Sequence, residues 1–293
     1  MTFKLDTSLH WTDHFVEHGF AVLKGLVDTT YCKEAIERVK ELFDDPRPLD
    51  QWTVEKPGIH HESFRGDRSD PILRKVFDLP DLRAAVATMH GGPEHWNNRE
   101  TFYIFVKPYD PDAKAALSDK GHIDFGEKHI PILYRGCAIF LALTDTEPFS
   151  GNTMLWPGTH RIIQKKLIEE PTTQQPSAFF EELNANKSVP YEFVAQAGDV
   201  MFMHHLTLHA GNNSHSANHK PRVALLADAW RDQWLTEVDP ATPNLPPWQR
   251  SLALNGAYKT IYDERAERAK TDPEVRAEIA EETAAIAAKS GGS

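Results

Sequence analysis

Cysteine is nearly absent: Cys32 and Cys137 are the only two among 293 residues. They stand far apart, without CxxC or Cys/His zinc spacing. That excludes a disulfide framework and favours a reducing compartment. Positive charge is also short, with 32 Lys and Arg against 43 Asp and Glu, a formal charge of −11 and a pI near 5.7. Nucleic acids and anionic membranes select a basic surface, so neither is an expected partner. No stretch approaches the run of uncharged apolar residues that a membrane span requires. The opening MTFKLDTSLHWTDHF lacks a basic region followed by an apolar one, so no secretory signal is expected and the location predicted is cytoplasmic. The Asn212-Asn213-Ser214 sequon is accordingly read as chance. Internal repeats and low-complexity segments are absent.

What is present is a globular composition, 40% hydrophobic and 10% aromatic. A β sandwich or barrel of this length is commonly one domain. Residues 8–18 read as a short helix ending at Gly19, 20–27 as a strand, and 30–43 as an amphipathic helix. The Pro-, Asp-, Gly- and Arg-rich segment 45–71 reads as a long loop of the kind that forms lids. LRAAVATM (82–89) is a helix closed by Gly91-Gly92.

From residue 100 the period becomes two. ETFYIFVK sends Thr101, Tyr103, Phe105 and Lys107 to one face and Phe102, Ile104 and Val106 to the other. ILYRGCAIFLALTD (132–145) is apolar on both faces, as a strand inside a two-layer structure would be. NTMLWPG, YEFVAQ, DVMFMHH and RVALLADAW follow as strands, interrupted by a helical insert near 160–186. Many short strands without βαβ alternation predict a mainly β fold, a sandwich or jelly roll with flanking helices. Residues 1–240 are expected to form one jelly-roll domain with helices at its N-terminal end. Residues 241–293 comprise a Pro-rich linker and a helical extension packed on the same domain. The box Thr271-x-x-Glu274 is expected to cap the last helix, whose thin apolar stripe suits packing or a homodimer contact.

The chemistry centres on Gly121-His122-Ile123-Asp124. On an extended strand, residues i and i+2 face the same side, so His122 and Asp124 can reach one metal ion. GDVMFMHHLTLHAGN (198–212) offers His204, His205 or His209 as a third ligand from a neighbouring strand. Two His and one carboxylate form the facial triad of non-haem Fe(II) oxygenases, which leaves positions for a cosubstrate and O₂. Zinc is the competing reading, because His205 and His209 are four apart. No Glu follows His205, however, and Gly211-Asn212-Asn213 breaks a helix. A 2-oxo acid could supply the two electrons such an iron needs. Its far carboxylate then calls for a fixed cation, and Arg222, at the start of RVALLADAW, is the candidate.

These features resemble the phytanoyl-CoA dioxygenase (PhyH) family of Fe(II)/2-oxoglutarate dioxygenases over roughly residues 12–230. The likeness runs through FVEHGFAVLKGLV, the Lys107-Pro108 pair, GNTMLWPGTHR and GDVMFMHHLTLHAGNNS followed by PRVALL. Gly151 to His160 match the family's Gly-x-x-x-x-x-Pro-Gly-Ser/Thr-His. The resemblance implies a double-stranded β-helix, with Fe(II) held by His122, Asp124 and His209 and 2-oxoglutarate anchored by Arg222. It also implies that Tyr103 and Phe140 face the cosubstrate. Gly211 stands where some relatives carry a Ser hydroxyl, so that hydroxyl must come from elsewhere, with Tyr103 one source. His160 is expected to be a structural turn residue, and His204 and His205 to be core or supporting residues. Asp124 argues against halogenation, since halogenating relatives replace this carboxylate with a small residue.

The expected reaction is therefore oxidation of a C–H bond in a small-molecule metabolite of the secondary-metabolite kind, with O₂ consumed: foremost a hydroxylation, with desaturation or ring chemistry built on the same C–H abstraction as alternatives. Phe125, Glu127, Trp230, Phe64 and Arg65 are the candidate substrate-pocket residues. No basic cluster suits the phosphates of coenzyme A. Two other readings remain open: a zinc or manganese cupin enzyme without an oxo acid, and a non-catalytic ligand-binding jelly roll.

Overall fold

Alternation along residues 102–107 builds the strand it predicts. In the computed structural model, β3 (Phe102–Lys107) buries Phe102, Ile104 and Val106 and leaves Tyr103 and Phe105 half-buried. The structure describes residues 2–52, 62–66, 70–93, 102–110, 112–113, 116–123, 135–169, 180–212, 221–230, 243–253, 267–277 and 280.

Before β3, the chain forms α1 (Trp11–His18), β1 (Phe20–Leu23), α2 (Thr29–Leu42), β2 (Glu62–Gly66) and α3 (Pro80–His90). Gly19 ends α1 at φ +80°, a conformation that favours a residue without Cβ. The strand expected over 20–27 stops at Leu23 because Asp199 captures the chain. Its carboxylate accepts the Gly25 N–H at 2.8 Å and pairs with Lys24 at 2.8 Å. The stretch 45–71 is not all loop, since β2 lies within it, paired antiparallel with β3. The rich turn composition around β2 hid it.

After β3 come β4 (Arg135–Ala142), β5 (Thr153–Leu155), α4 (Thr159–Glu169), α5 (Phe180–Asn186) and β6 (Tyr191–Glu192). The order then runs β7 (Val200–His204), β8 (His209–Gly211), β9 (Arg222–Trp230) and α6 (Pro247–Ala253). Among the described residues the strands form two antiparallel sheets, β1-β7-β4-β9-β3-β2 and β6-β5-β8.

Side-chain alternation divides the larger sheet. One face carries Phe102, Ile104, Ile139, Phe202, Val223 and Leu225, in a continuous core with Phe15, Ile36, Val39 and Val86 from the helices. The other face, with Phe140, Met201 and Met203, packs on Phe20, Leu155, Tyr191 and Phe193. Leu155 belongs to the smaller sheet, so this second cluster lies between the two sheets. At about 25 cal/mol per Å² of apolar surface removed from water, such burial dominates the fold's stabilisation.

Part of the Pro-rich stretch expected as a linker is docked. Trp248 of α6 is fully buried, and α6 packs against α1 and α3. Arg250 pairs with Asp13 at 2.8 Å. Farther on, Asp272 caps the final described helical turns in place of the expected Thr271, accepting from Glu274 N–H at 3.0 Å. No helix among the described residues is long and apolar enough to cross a membrane.

Candidate metal and cosubstrate site

His209 opens β8 and lies opposite Leu155 of β5. On the other edge of β8 it forms an antiparallel bridge with His122, exchanging backbone hydrogen bonds of 2.8 and 2.9 Å. The two sequence-predicted histidines are thus brought together, with ring centroids 4.4 Å apart and planes at 49°. Thr207 O lies 3.0 Å from His209 Nδ1, which donates to it and leaves Nε2 as the nitrogen with a lone pair to offer. His122 is exposed while His209 is buried. Asp124 lies outside the described residues, as do Phe125 and Glu127. Among the described residues, no group of three His, Cys, Asp or Glu forms a metal cluster.

The helical zinc alternative does not match the chain's path. His204 ends β7, His205 lies in a turn, and His209 begins the next strand. His204 and His205 instead stack at 4.4 Å, with His160 5.1 Å from His204, in the interior. Burial holds the His204 imidazolium well below its usual range and lowers His160 to about 3, so both rings stay neutral. His160 donates from Nε2 to Val16 O. Beside it, Thr159 Oγ1 accepts the Leu208 N–H at 2.9 Å, and Trp156 N–H donates to Leu208 O at 3.0 Å. The PGTH turn therefore fixes the residue just before His209.

Arg222 opens β9, opposite Lys107 of β3. Its Nη1 donates to Thr153 Oγ1 at 3.0 Å, crossing from one sheet to the other. Thr153 is in turn the register partner of Gly211, two residues beyond His209 on the same strand. One two-residue strand step, about 7 Å, thus separates the row of His209 from the row that Arg222 reaches. Lys107 crosses as well. A Cβ on Gly151 would collide with its Cδ at 2.6 Å, and its Nζ lies 3.7 Å from where a Gly211 Cβ would stand.

Two cations therefore lie side by side on paired strands. Arg222 Nε is buried without a partner, and among the described residues no carboxylate pairs with Arg222 or Lys107. Burial and the Arg222 charge push the Lys107 ammonium down to about 8, and burial lowers Arg222 to about 10. Such a pair wants a carboxylate from outside.

Lys107 and Thr153 were not singled out as site residues from the sequence. The face assignment of ETFYIFVK and the Lys107-Pro108 pair contained the signal for the first. The hydroxyl that Gly211 lacks is present on Thr153, within reach of Arg222. Tyr103 lies opposite Leu226, which lies opposite Phe140, forming one row on the inter-sheet face. Arg65 occupies the register position opposite Tyr103, and Phe64 that opposite Ile104. Trp230 ends β9 opposite Arg135.

A double-stranded β-helix that brings two imidazoles together one strand step from two neighbouring cations has the architecture of the cupin-fold metalloenzymes. The profile of the family described as phytanoyl-CoA dioxygenase (PhyH) matches residues 15–224, and the chain belongs to that family. It is accordingly an Fe(II)/2-oxoglutarate-dependent enzyme. A search of curated proteins returned no match.

Solved structures share the fold at low identity. The epimerase SnoN from nogalamycin biosynthesis superposes with a TM-score of 0.52 at 15% identity, covering 80% of this chain and 91% of SnoN. HygX from Streptomyces hygroscopicus, crystallised with nickel and 2-oxoglutarate, gives 0.50 at 12%, covering 78% and 87%. EctD from S. alaskensis gives 0.51 at 16%, covering 75% and 76%.

The residues present fit both groups. The imidazoles suit a divalent metal, and the orphaned Arg222 Nε with the neighbouring ammonium suits a dicarboxylate.

Proposed function

We propose that this enzyme hydroxylates a C–H bond of a small-molecule metabolite, converting 2-oxoglutarate and O₂ to succinate and CO₂. His122, Asp124 and His209 would hold the iron. Arg222, with Lys107 and Thr153, would hold the far carboxylate of the oxo acid, while Tyr103 and Phe140 line its side of the inter-sheet space. Iron and oxo acid together supply oxidising power toward the substrate C–H. The protein's part is to orient both partners and exclude water.

One observation carries the reading: Arg222 and Lys107 lie side by side, without a carboxylate partner among the described residues, one strand step from the row of His209. A dianionic oxo acid relieves that arrangement, and a carboxylate-free zinc or manganese cupin has no use for it.

For the substrate, Phe125, Glu127, Trp230, Phe64 and Arg65 remain the pocket candidates. SnoN was crystallised with nogalamycin RO and HygX with hygromycin B, which supports a metabolite rather than a macromolecule. The family's name carries no acyl-CoA substrate over to this acidic chain. Residues 1–240 would act as one catalytic domain with 241–293 packed on it, in the cytoplasm. The homodimer reading of the C-terminal helices loses an anchor, because Val275 is already 1% exposed within one chain.

The test is anaerobic addition of Fe(II) and then 2-oxoglutarate, watching the visible iron-to-oxo-acid charge-transfer band. The wild type should develop the band, His209→Ala should lack it, and Arg222→Ala should need far more oxo acid. An iron-loaded wild type without the band would overturn the reading in favour of a different metal chemistry.

A further inference from the structure

His122 sits in a short bridge rather than a long strand, yet a ligand must be held to a fraction of an ångström. Successive residues of extended backbone present their N–H and C=O to opposite edges. At His122 both groups bond to His209, on the β8 edge. At Gly121 both groups turn the other way and meet a side chain. Gly121 N–H donates to Asn184 Oδ1 at 3.0 Å, and Asn184 Nδ2 donates to Gly121 O at 3.4 Å.

Among the described residues no strand lies on that side of Gly121, and the amide of Asn184 takes the place one would occupy. It is itself fixed, since Lys187 Nζ donates to Asn184 Oδ1 at 3.1 Å and also to Asp119 O. The Lys187 ammonium lies 5.2 Å over the Trp156 ring. That ring presses on Gly121, where a Cβ would meet Trp156 Cζ3 at 2.5 Å and Leu208 Cγ at 2.7 Å. A second asparagine, Asn212, accepts the Ser118 N–H at 2.6 Å and steadies the start of the same segment.

We propose that Asn184, on α5 of the helical insert, is a positioning residue for His122: it serves as a one-residue surrogate strand that closes the free edge of the metal-binding segment. The proposal rests on His122 being a metal ligand, and it gives the insert a role in metal affinity.

The experiment compares Co(II) affinity and the cobalt visible spectrum in wild type, Asn184→Ala, Asn184→Asp and Leu183→Ala, each with its melting temperature. Leu183 is buried on the same helix, so its truncation loosens α5 without removing the clamp. Asn184→Ala should weaken Co(II) binding about 10- to 100-fold, the usual effect of losing a group that orients a ligand. Asn184→Asp keeps the acceptor for Gly121 N–H, loses the donor, and should fall between. Leu183→Ala should lower the melting temperature at least as much as Asn184→Ala while retaining tighter metal binding.

Wild-type affinity and spectrum in Asn184→Ala would overturn the proposal. Equal metal loss in Leu183→Ala and Asn184→Ala would do the same, by assigning the effect to helix packing. Should Asn184→Ala fail to fold, Asn184→Asp against Leu183→Ala decides on the same criterion. If the wild type itself binds no Co(II), the metal-site reading fails first, which is a separate outcome.

Discussion

Lys107→Met should make the protein more stable and a poorer binder of 2-oxoglutarate at once. Lys107 is 7% exposed, and burial together with Arg222 lowers its ammonium from 10.5 to about 8. Each unit corresponds to about 1.4 kcal/mol, so the charged form burdens the cosubstrate-free protein by roughly 3 kcal/mol at neutral pH. The sign follows from proton counts. Between about pH 8 and 10.5 the unfolded chain holds a proton that the folded chain has released, so stability of the unliganded protein rises across that window. Below pH 8 both states are protonated and the full cost remains. Methionine keeps the length that covers Gly151 and removes the charge.

Urea unfolding of the unliganded protein at pH 7 should therefore show a gain of up to a few kcal/mol in Lys107→Met. The same variant should lose one charge-assisted hydrogen bond to the oxo acid, about 1.5–3 kcal/mol, or roughly 10- to 150-fold in Kd. Calorimetric titration of 2-oxoglutarate into Mn(II)-loaded protein reads that loss. Wild-type affinity should fall above pH 8 as the ammonium empties, and the variant's should stay level across the same range. A variant less stable than the wild type, with an unchanged Kd for 2-oxoglutarate, would refute the reasoning by making Lys107 a structural residue.

Gly121→Ala forces a Cβ to within 2.5 Å of Trp156 and 3.0 Å of His209 O. Overpacking of that kind costs about 1–3 kcal/mol, and a Co(II) titration should register a loss of at least tenfold in affinity. Acid should destabilise the fold through its neutral interior imidazoles. His160, lowered from 6.5 to about 3, contributes stability that is whole above pH 6.5 and declines as pH falls toward 3, by roughly 2 kcal/mol at pH 5. His160→Gln should flatten that part of the denaturation-midpoint profile between pH 7 and 5. Trp248→Ala empties a fully buried position where α6 meets α1 and α3 and should cost about 3–5 kcal/mol by urea unfolding, with Co(II) affinity retained.

The strands and helices legible in the sequence were those that bury a periodic face. Phe102, Ile104 and Val106 could be assigned by counting in twos, and Ala35, Ile36 and Val39 by counting in threes and fours. β2 was not legible, because its short run, Glu62–Gly66, lies within turn-forming composition and is fixed by pairing to β3. The end of β1 was equally hidden, since Asp199, far away in sequence, ends it. The same division governs the site. His122, His209 and Arg222 belong to residue types whose spacing suggests chemistry, and the two imidazoles do meet. Thr153 and Asn184 carry no such mark. Their importance comes from where the smaller sheet and the insert place one hydroxyl and one amide. Lys107 falls between the two cases. Its face could be read from alternation, but its cost could not, because burying an ammonium beside Arg222 is visible only once β3 and β9 are paired. Burial of that ammonium beside Arg222 leaves two like charges without a carboxylate among the described residues, and the proposed dicarboxylate would offset them.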